Sequence, residues 1–170
     1  SVRPATDRVK SALFNILQSK IHWGNSNVLD LFAGSGSVGI EALSRGAKKV
    51  VFVEKDKNAL MFLKNNISHV GAENESSVIP GDVTRFLQSS PPKYDVVFAD
   101  PPYSIETLAS LPTIIFESGV VATDGILIME HPTYFEFIPN SLWEAFDERT
   151  YGRTAISFFH HRTVHEEEHE

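Results

Sequence analysis

Apolar and polar positions alternate along this chain in two rhythms. Over residues 6–21, TDRVKSALFNILQSKI, the apolar positions recur at helical spacing, with Val9, Ala12, Leu13, Ile16 and Leu17 on one face. Thr6 or Asp7 is placed to cap that helix. Residues 27–33, NVLDLFA, are instead a short apolar run closed by glycines, as in a strand buried on both faces. A helix follows over SVGIEALSRG, with Gly46 as its stop. The alternation continues with strands over 48–54, 76–82, 94–100 and 125–131. Between them lie a helix capped by Asp56 and running to about Val70, a short helix after residue 82, and helical segments over 104–118 interrupted at Pro112. Leu60, Leu63 and Ile67 form the inward face of the first of these. Residues 147–162 read as a β-hairpin about Gly152.

Strands separated by helices imply a parallel sheet with helices on both faces. The closing hairpin adds an antiparallel edge. Five strands and a hairpin make an α/β fold with a seven-stranded, mostly parallel sheet. The 170 residues suit one domain, residues 1–170, with an acidic tail over 163–170. Neither an internal repeat nor a linker-like stretch divides the chain.

Composition narrows the chemistry. Cysteine is absent, which removes disulfides, thiolate metal sites and thiol nucleophiles. No apolar run reaches the roughly 18 residues of a membrane helix, and no secretory signal opens the chain, so a cytoplasmic protein is expected. The first residue is Ser1, which points to a missing segment ahead of it. The net charge of −7 argues against a protein that grips nucleic acid with its whole surface. Part of that charge is the solvated run HEEEHE at 165–170. His160, His161, His165 and His169 lack the rigid spacing of a metal site, so no metal is expected.

The chemistry concentrates where strands end. DLFAGSGSVGIEA, residues 30–42, carries Gly34, Gly36 and Gly39 in the G-x-G-x-x-G spacing of a dinucleotide-binding turn. Such a turn lets the backbone approach a ligand closely. Asp30, just before it, repels phosphates and suits a ligand carrying an amino group. Glu54 ends the next strand twenty residues past Gly34, where a carboxylate accepts from both ribose hydroxyls. NAD and S-adenosylmethionine share that ribose, so Glu54 does not choose between them. Asp82 follows the third strand and can accept from an adenine amino group; read alone it is equally a helix cap. Ligands in open parallel sheets lie across the carboxyl ends of the strands, so Asp30, Glu54 and Asp82 line one rim in order.

DPPY, residues 100–103, settles the choice at this level. Two prolines stiffen the backbone and remove two N–H donors. The Asp100 carboxylate and the Pro101 carbonyl remain as acceptors for the two hydrogens of a planar substrate's exocyclic amine. Tyr103 offers a ring on which a base can stack. A dehydrogenase has no use for this acceptor rim. The pattern fits methyl transfer from a sulfonium to an amine nitrogen, with S-adenosylmethionine as cofactor.

With these stretches the chain resembles the class I methyltransferases, and more closely the RsmD family of bacterial guanine-2-amino methyltransferases of small-subunit ribosomal RNA. RPATDRVKSALFNIL (3–17) carries the family-specific part; VLDLFAGSGSVGIEALSRGAKKVVFVEKD (28–56), GDV and VFADPPY extend it. Family members usually read R-P-T where this chain has Arg3-Pro4-Ala5. The resemblance implies a Rossmann-like fold and a donor site of Asp30, Phe32, Gly34, Gly36, Glu54, Lys55, Asp82 and Val83. It implies an amine site of Asp100, Pro101, Pro102 and Tyr103. It also implies a basic segment ahead of Ser1, with Arg3, Thr6, Arg8 and Lys10 as the remaining RNA-facing patch. The expected partner is small-subunit ribosomal RNA, in an assembled or partly assembled subunit, met by a monomer.

Three other readings use the same residues. DPPY serves the 6-amino group of adenine in DNA or RNA equally well, although the chain leaves little room for a separate DNA-reading domain. Methylation of a protein glutamine usually begins the motif with Asn, against Asp100 here. A non-catalytic module that binds donor or RNA during assembly would not need Asp100 and Tyr103.

Overall fold

The computed structural model describes residues 6–163. Helix α1 (Thr6–Leu17) leads into strand β1 (Asn27–Leu31), and α2 (Ser37–Ser44) into β2 (Lys49–Glu54). Next come α3 (Lys57–His69), β3 (Ser76–Pro80), α4 (Val83–Gln88) and β4 (Tyr94–Ala99). The chain then forms α5 (Leu111–Glu117), β5 (Val121–Pro132), β6 (Trp143–Tyr151) and β7 (Thr154–His161). The seven strands lie in the order β3-β2-β1-β4-β5-β7-β6. The first five pair in parallel, and the β6–β7 hairpin closes the sheet antiparallel to β5.

The central strands are apolar at every step because both faces are covered. Val28, Val50, Phe52, Val96 and Phe98 point into one core with α1, α2 and α3. Leu29, Val51, Val53, Val97 and Ala99 point into the other with α4 and α5. Phe14 is fully buried in the first core, with its ring 5.7 Å from Trp23 and 5.8 Å from Phe98. It belongs with the inward residues of α1 expected from the spacing.

Several boundaries differ from the expectation. α1 ends at Leu17 rather than running to residue 21. Pro112 does not interrupt a helix; it sits in the first turn of α5, where its missing N–H has no intrahelical partner to lose. β5 begins at Val121, four residues earlier than expected. The pairing steps from Tyr94↔Val121 to Val96↔Ile126, so the turn-like stretch Thr123-Asp124-Gly125 is an irregularity inside a strand. The hairpin begins at Trp143, whose indole N–H donates to Thr113 Oγ1 at 2.9 Å.

β1 lies between β2 and β4, and the chain order reverses there. Leu31 aligns with Val53 on one side and Ala99 on the other. The carboxyl ends of three strands therefore meet at one point, the usual place for a ligand in an open parallel sheet.

Candidate active site

At that point the chain leaves β1 through residues with positive φ: Phe32 at 58°, Gly34 at 57° and Gly36 at 86°. A phenylalanine in this region is uncommon and costly, and such conformations cluster at functional sites. The three glycines serve different needs. A Cβ on Gly34 would meet nothing within 4 Å, so that position opens onto space for a ligand. A Cβ on Gly36 would run into Leu63, and one on Gly39 into the Phe52 ring. Gly36 and Gly39 thus let α2 settle against α3 and the sheet, while Gly34 leaves the cradle empty.

Glu54 holds the cradle in place. Its Oε1 accepts from Gly34 N at 2.9 Å, and its Oε2 from Asp56 N at 2.8 Å. Each oxygen keeps a second lone pair for a ribose hydroxyl. Asp56 caps α3 by accepting from Ala59 N at 2.8 Å. Asp82 likewise caps α4 by accepting from Arg85 N at 3.2 Å, and it still lines the cleft, so both readings of it hold together.

Two clefts adjoin along the rim. One, of about 220 Å³, is lined by Asp30, Gly34, Ser35, Asp100 and Glu130, with Val9, Lys10 and Leu13 of α1 as its wall. The other, of about 310 Å³, is lined by Glu54, Lys55, Asp82, Val83, Pro101 and Pro102. Phe32 and Asp100 border both. Tyr103 is half-buried on the same turn and lines neither cleft.

Asp30 is 3% exposed, and its Oδ2 accepts from Gly39 N at 3.1 Å. Burial pushes its carboxyl well above the usual carboxylate range; the Gly39 N–H opposes this, and the charges of Asp100 and Glu54 add to it. The folded protein therefore holds the Asp30 proton more tightly than the unfolded chain. Stability falls as pH rises from the ordinary aspartate range through the raised folded value, and stays lower above it. Asp30→Asn keeps an acceptor for Gly39 and removes the charge. It is expected to melt at a higher temperature than the wild type at neutral pH, and the gap should close in acid. Thermal melts over a pH series measure this; equal melting temperatures at neutral pH would remove the strain assigned to Asp30. A cationic amine in the cleft would supply the missing partner.

The residues fit a donor with an adenosine end and an amino-acid end. The second cleft carries the Glu54 and Asp82 carboxylates, acceptors of the kind that ribose hydroxyls and an adenine amine require. The first carries carboxylates for an ammonium.

The family described as "Conserved hypothetical protein 95" matches residues 1–160. "Ribosomal RNA small subunit methyltransferase D" of Haemophilus influenzae is 38% identical over 154 residues, covering 89% of this chain and 79% of that protein. Its Escherichia coli namesake is 30% identical over 160 residues, covering 93% and 79%. The chain belongs to the RsmD family. Solved structures agree. The Escherichia coli protein yhhF superposes with a TM-score of 0.84 at 27% identity, covering 96% of this chain and 90% of that one. The Haemophilus influenzae protein HI0767 superposes at 0.78 and 34%, covering 92% and 98%. The fold is thus the Rossmann-like methyltransferase fold expected above, and S-adenosylmethionine is the donor of the family.

In this RsmD-family chain the structure brings together Asp30, Phe32, Gly34, Glu54, Lys55, Asp82, Val83 and Asp100 to Pro102. Gly36 stands behind the cradle as the N-cap of α2. The proposed RNA patch separates. Arg3 lies outside the described residues, Thr6 opens α1, and Arg8 is exposed. Lys10 lines the first cleft, where its Nζ donates to Ser37 Oγ at 3.0 Å. His160 pairs with Glu144 at 3.3 Å and His161 Nε2 donates to the Val121 carbonyl at 2.9 Å; His165 and His169 lie outside the described residues. Sequence reasoning passed over Glu130, although it is the same signal as Asp30, Glu54, Asp82 and Asp100: an acid where a parallel strand ends. No helix among the described residues is long and apolar enough to cross a membrane.

Proposed function

We propose that this chain methylates the exocyclic 2-amino group of a guanine in small-subunit ribosomal RNA. The observation that carries the proposal is Asp100. It is exposed at the end of β4 and borders both clefts, so it faces the junction between the adenosine and amino-acid ends of a bound donor. The Pro102 carbonyl closes the following turn by accepting from Ile105 N at 3.1 Å. The next residue along the rim, Pro101, lines the second cleft, and its carbonyl is the second acceptor of this reading.

S-adenosylmethionine, when bound, supplies a methyl group on a sulfonium that departs as a neutral thioether. The chain's residues do the rest. Asp100 and the Pro101 carbonyl each accept one amine hydrogen, which aims the nitrogen lone pair at the methyl carbon. The Asp100 carboxylate offsets the positive charge that grows on nitrogen as the N–C bond forms. The surplus amine proton then leaves to solvent from the exposed edge. Tyr103 supplies a stacking face for the base. Ribosomal RNA as substrate is supported by the names of the relatives. A substrate of that kind supports a cytoplasmic site of action.

Net charge sets the form of the substrate. At −7 the chain gains little non-specific attraction to phosphates, the term that dominates binding to bare RNA. A folded target that presents one guanine to the Asp100 rim needs less of it, with Arg3 and Arg8 as local phosphate contacts. With labelled donor, small subunits from a strain lacking this enzyme are expected to be labelled faster than naked ribosomal RNA, with DNA unlabelled. The difference should persist over a salt series, and the label should map to a guanine. Label on an adenine would overturn the base assignment. Equal rates on subunits and naked RNA would overturn the preference for a folded particle. No transfer to any substrate, with donor binding intact, would leave a binding module.

A further inference from the structure

We propose that Tyr134 and Arg153 form a platform for the RNA strand beside the amine site. Tyr134 stacks a base that flanks the target guanine, and Arg153 holds a phosphate of the same strand. The proposal rests on reading ribosomal RNA as the substrate.

The register of the sheet builds the platform. β4 ends at Ala99, opposite Met129. β5 runs on through Glu130, His131 and Pro132, paired with Ile156, Ala155 and Thr154 of β7. At about 3.3 Å per residue, this part of the sheet rises about 10 Å past the end of β4. Asp100, the first residue after β4, lies at the foot of that step. Only Gly152 and Arg153 join β6 to β7, and Gly152 takes the positive φ, 61°, that so short a loop requires. The loop is braced against the chain leaving β5. Thr133 N donates to the Arg153 carbonyl at 3.1 Å, and Phe135 N to the Pro132 carbonyl at 3.1 Å. Tyr134 and Arg153 therefore stand on one fixed edge.

Both side chains face outward from it. Along Tyr134-Phe135-Glu136-Phe137 the residues alternate. Phe135 and Phe137 pack together at 5.4 Å between ring centroids, and Phe137 lies 5.6 Å from the buried Phe159. Tyr134 takes the other direction and is 83% exposed. A lone exposed aromatic is ordinary. This one shares its edge with an exposed guanidinium that forms no ion pair among the described residues, whereas Arg149 on β6 pairs with Asp147 at 3.2 Å. A ring beside a cation matches a base beside its phosphate, because stacking accepts any base and the cation answers the backbone. A chain of net charge −7 has particular need of such local cations. A strand whose guanine sits at Asp100 climbs the step and reaches both side chains.

The test measures transfer to small subunits and to naked ribosomal RNA, with calorimetric titration of S-adenosylhomocysteine on the same proteins. Tyr134→Ala should raise KM for both RNAs by about five- to 150-fold, the range for one stacked base, with kcat nearly unchanged. Tyr134→Phe keeps the ring and should match the wild type. Arg153→Ala should raise KM and reduce the log–log salt slope of kcat/KM by about one, a change that loss of packing alone does not produce. Arg153→Lys should restore the slope. Unchanged S-adenosylhomocysteine affinity shows that each variant is folded; a parallel fall in it would make the effect structural and overturn the proposal. Wild-type KM in both alanine variants would also overturn it, as would equal losses in Tyr134→Phe and Tyr134→Ala. A loss on subunits alone, with naked RNA unaffected, would assign this edge to a protein of the particle instead. If the wild-type chain methylated neither RNA, the ribosomal RNA reading itself would fail, and this proposal with it.

Discussion

Asp100→Ala is expected to lower methyl-transfer turnover by about 100- to 1,000-fold, the scale on which removing one preorganised electrostatic group slows an enzyme. In the proposed reaction the carboxylate acts on the amine, and it lies only at the edge of the two clefts. The loss should therefore appear in kcat, with little change in the affinity for S-adenosylhomocysteine. Donor binding has a further reason to survive. The Asp100 charge helps to raise the Asp30 carboxyl, so removing it favours the ionised Asp30 that an ammonium needs. Asp100→Asn keeps one acceptor but turns an N–H toward the amine, and should fall between wild type and alanine. Single-turnover transfer from labelled donor, with calorimetry on the same proteins, separates the two effects. Wild-type turnover in Asp100→Ala would move the amine site elsewhere on the rim.

The second large effect is expected at Glu54. Its carboxylate joins the cradle to the second cleft by accepting from Gly34 N and Asp56 N, and its remaining lone pairs are the acceptors proposed for the ribose. Glu54→Ala removes the ribose acceptor and releases Gly34, whose open Cβ position defines the cradle. Affinity for the donor should fall by about 1.5–3 kcal/mol, the range for hydrogen bonds to a charged group. Because the ribose is common to S-adenosylhomocysteine and to 5′-methylthioadenosine, which lacks the amino-acid end, the two ligands should lose alike. Unchanged affinity for both would take Glu54 out of the site.

Much of this site was legible before any coordinates. A parallel strand buried on both faces must be apolar throughout, so NVLDLFA, KKVVFVE and YDVVFAD announce themselves, and each closes near an acid or a glycine where the chain turns outward. Because parallel strands place those ends on one edge, Asp30, Glu54 and Asp82 were assigned to a single rim from order alone. The rigid acceptors of DPPY follow from covalent geometry, which needs no partner strand. Element ends were less legible, because pairing decides them. Thr123-Asp124-Gly125 has the composition of a turn, yet pairing with β4 on either side of it carries it inside β5. Pro112 has the chemistry of a helix breaker and proves to be a helix start. Lys10 was the most context-dependent of all. Its neighbours Arg8 and Arg3 suggested an outward basic patch, and the periodicity of α1 said which residues face the core. It said nothing about what lies beyond the helix edge. That was decided when Val9, Leu13 and Phe14 docked on the sheet, because this packing fixes the rotation of α1 and brings the Lys10 ammonium to Ser37 at the head of α2. Local chemistry determined which residues can bind and turn; only the packing of α1 on the sheet determined which of its two cations lines the first cleft.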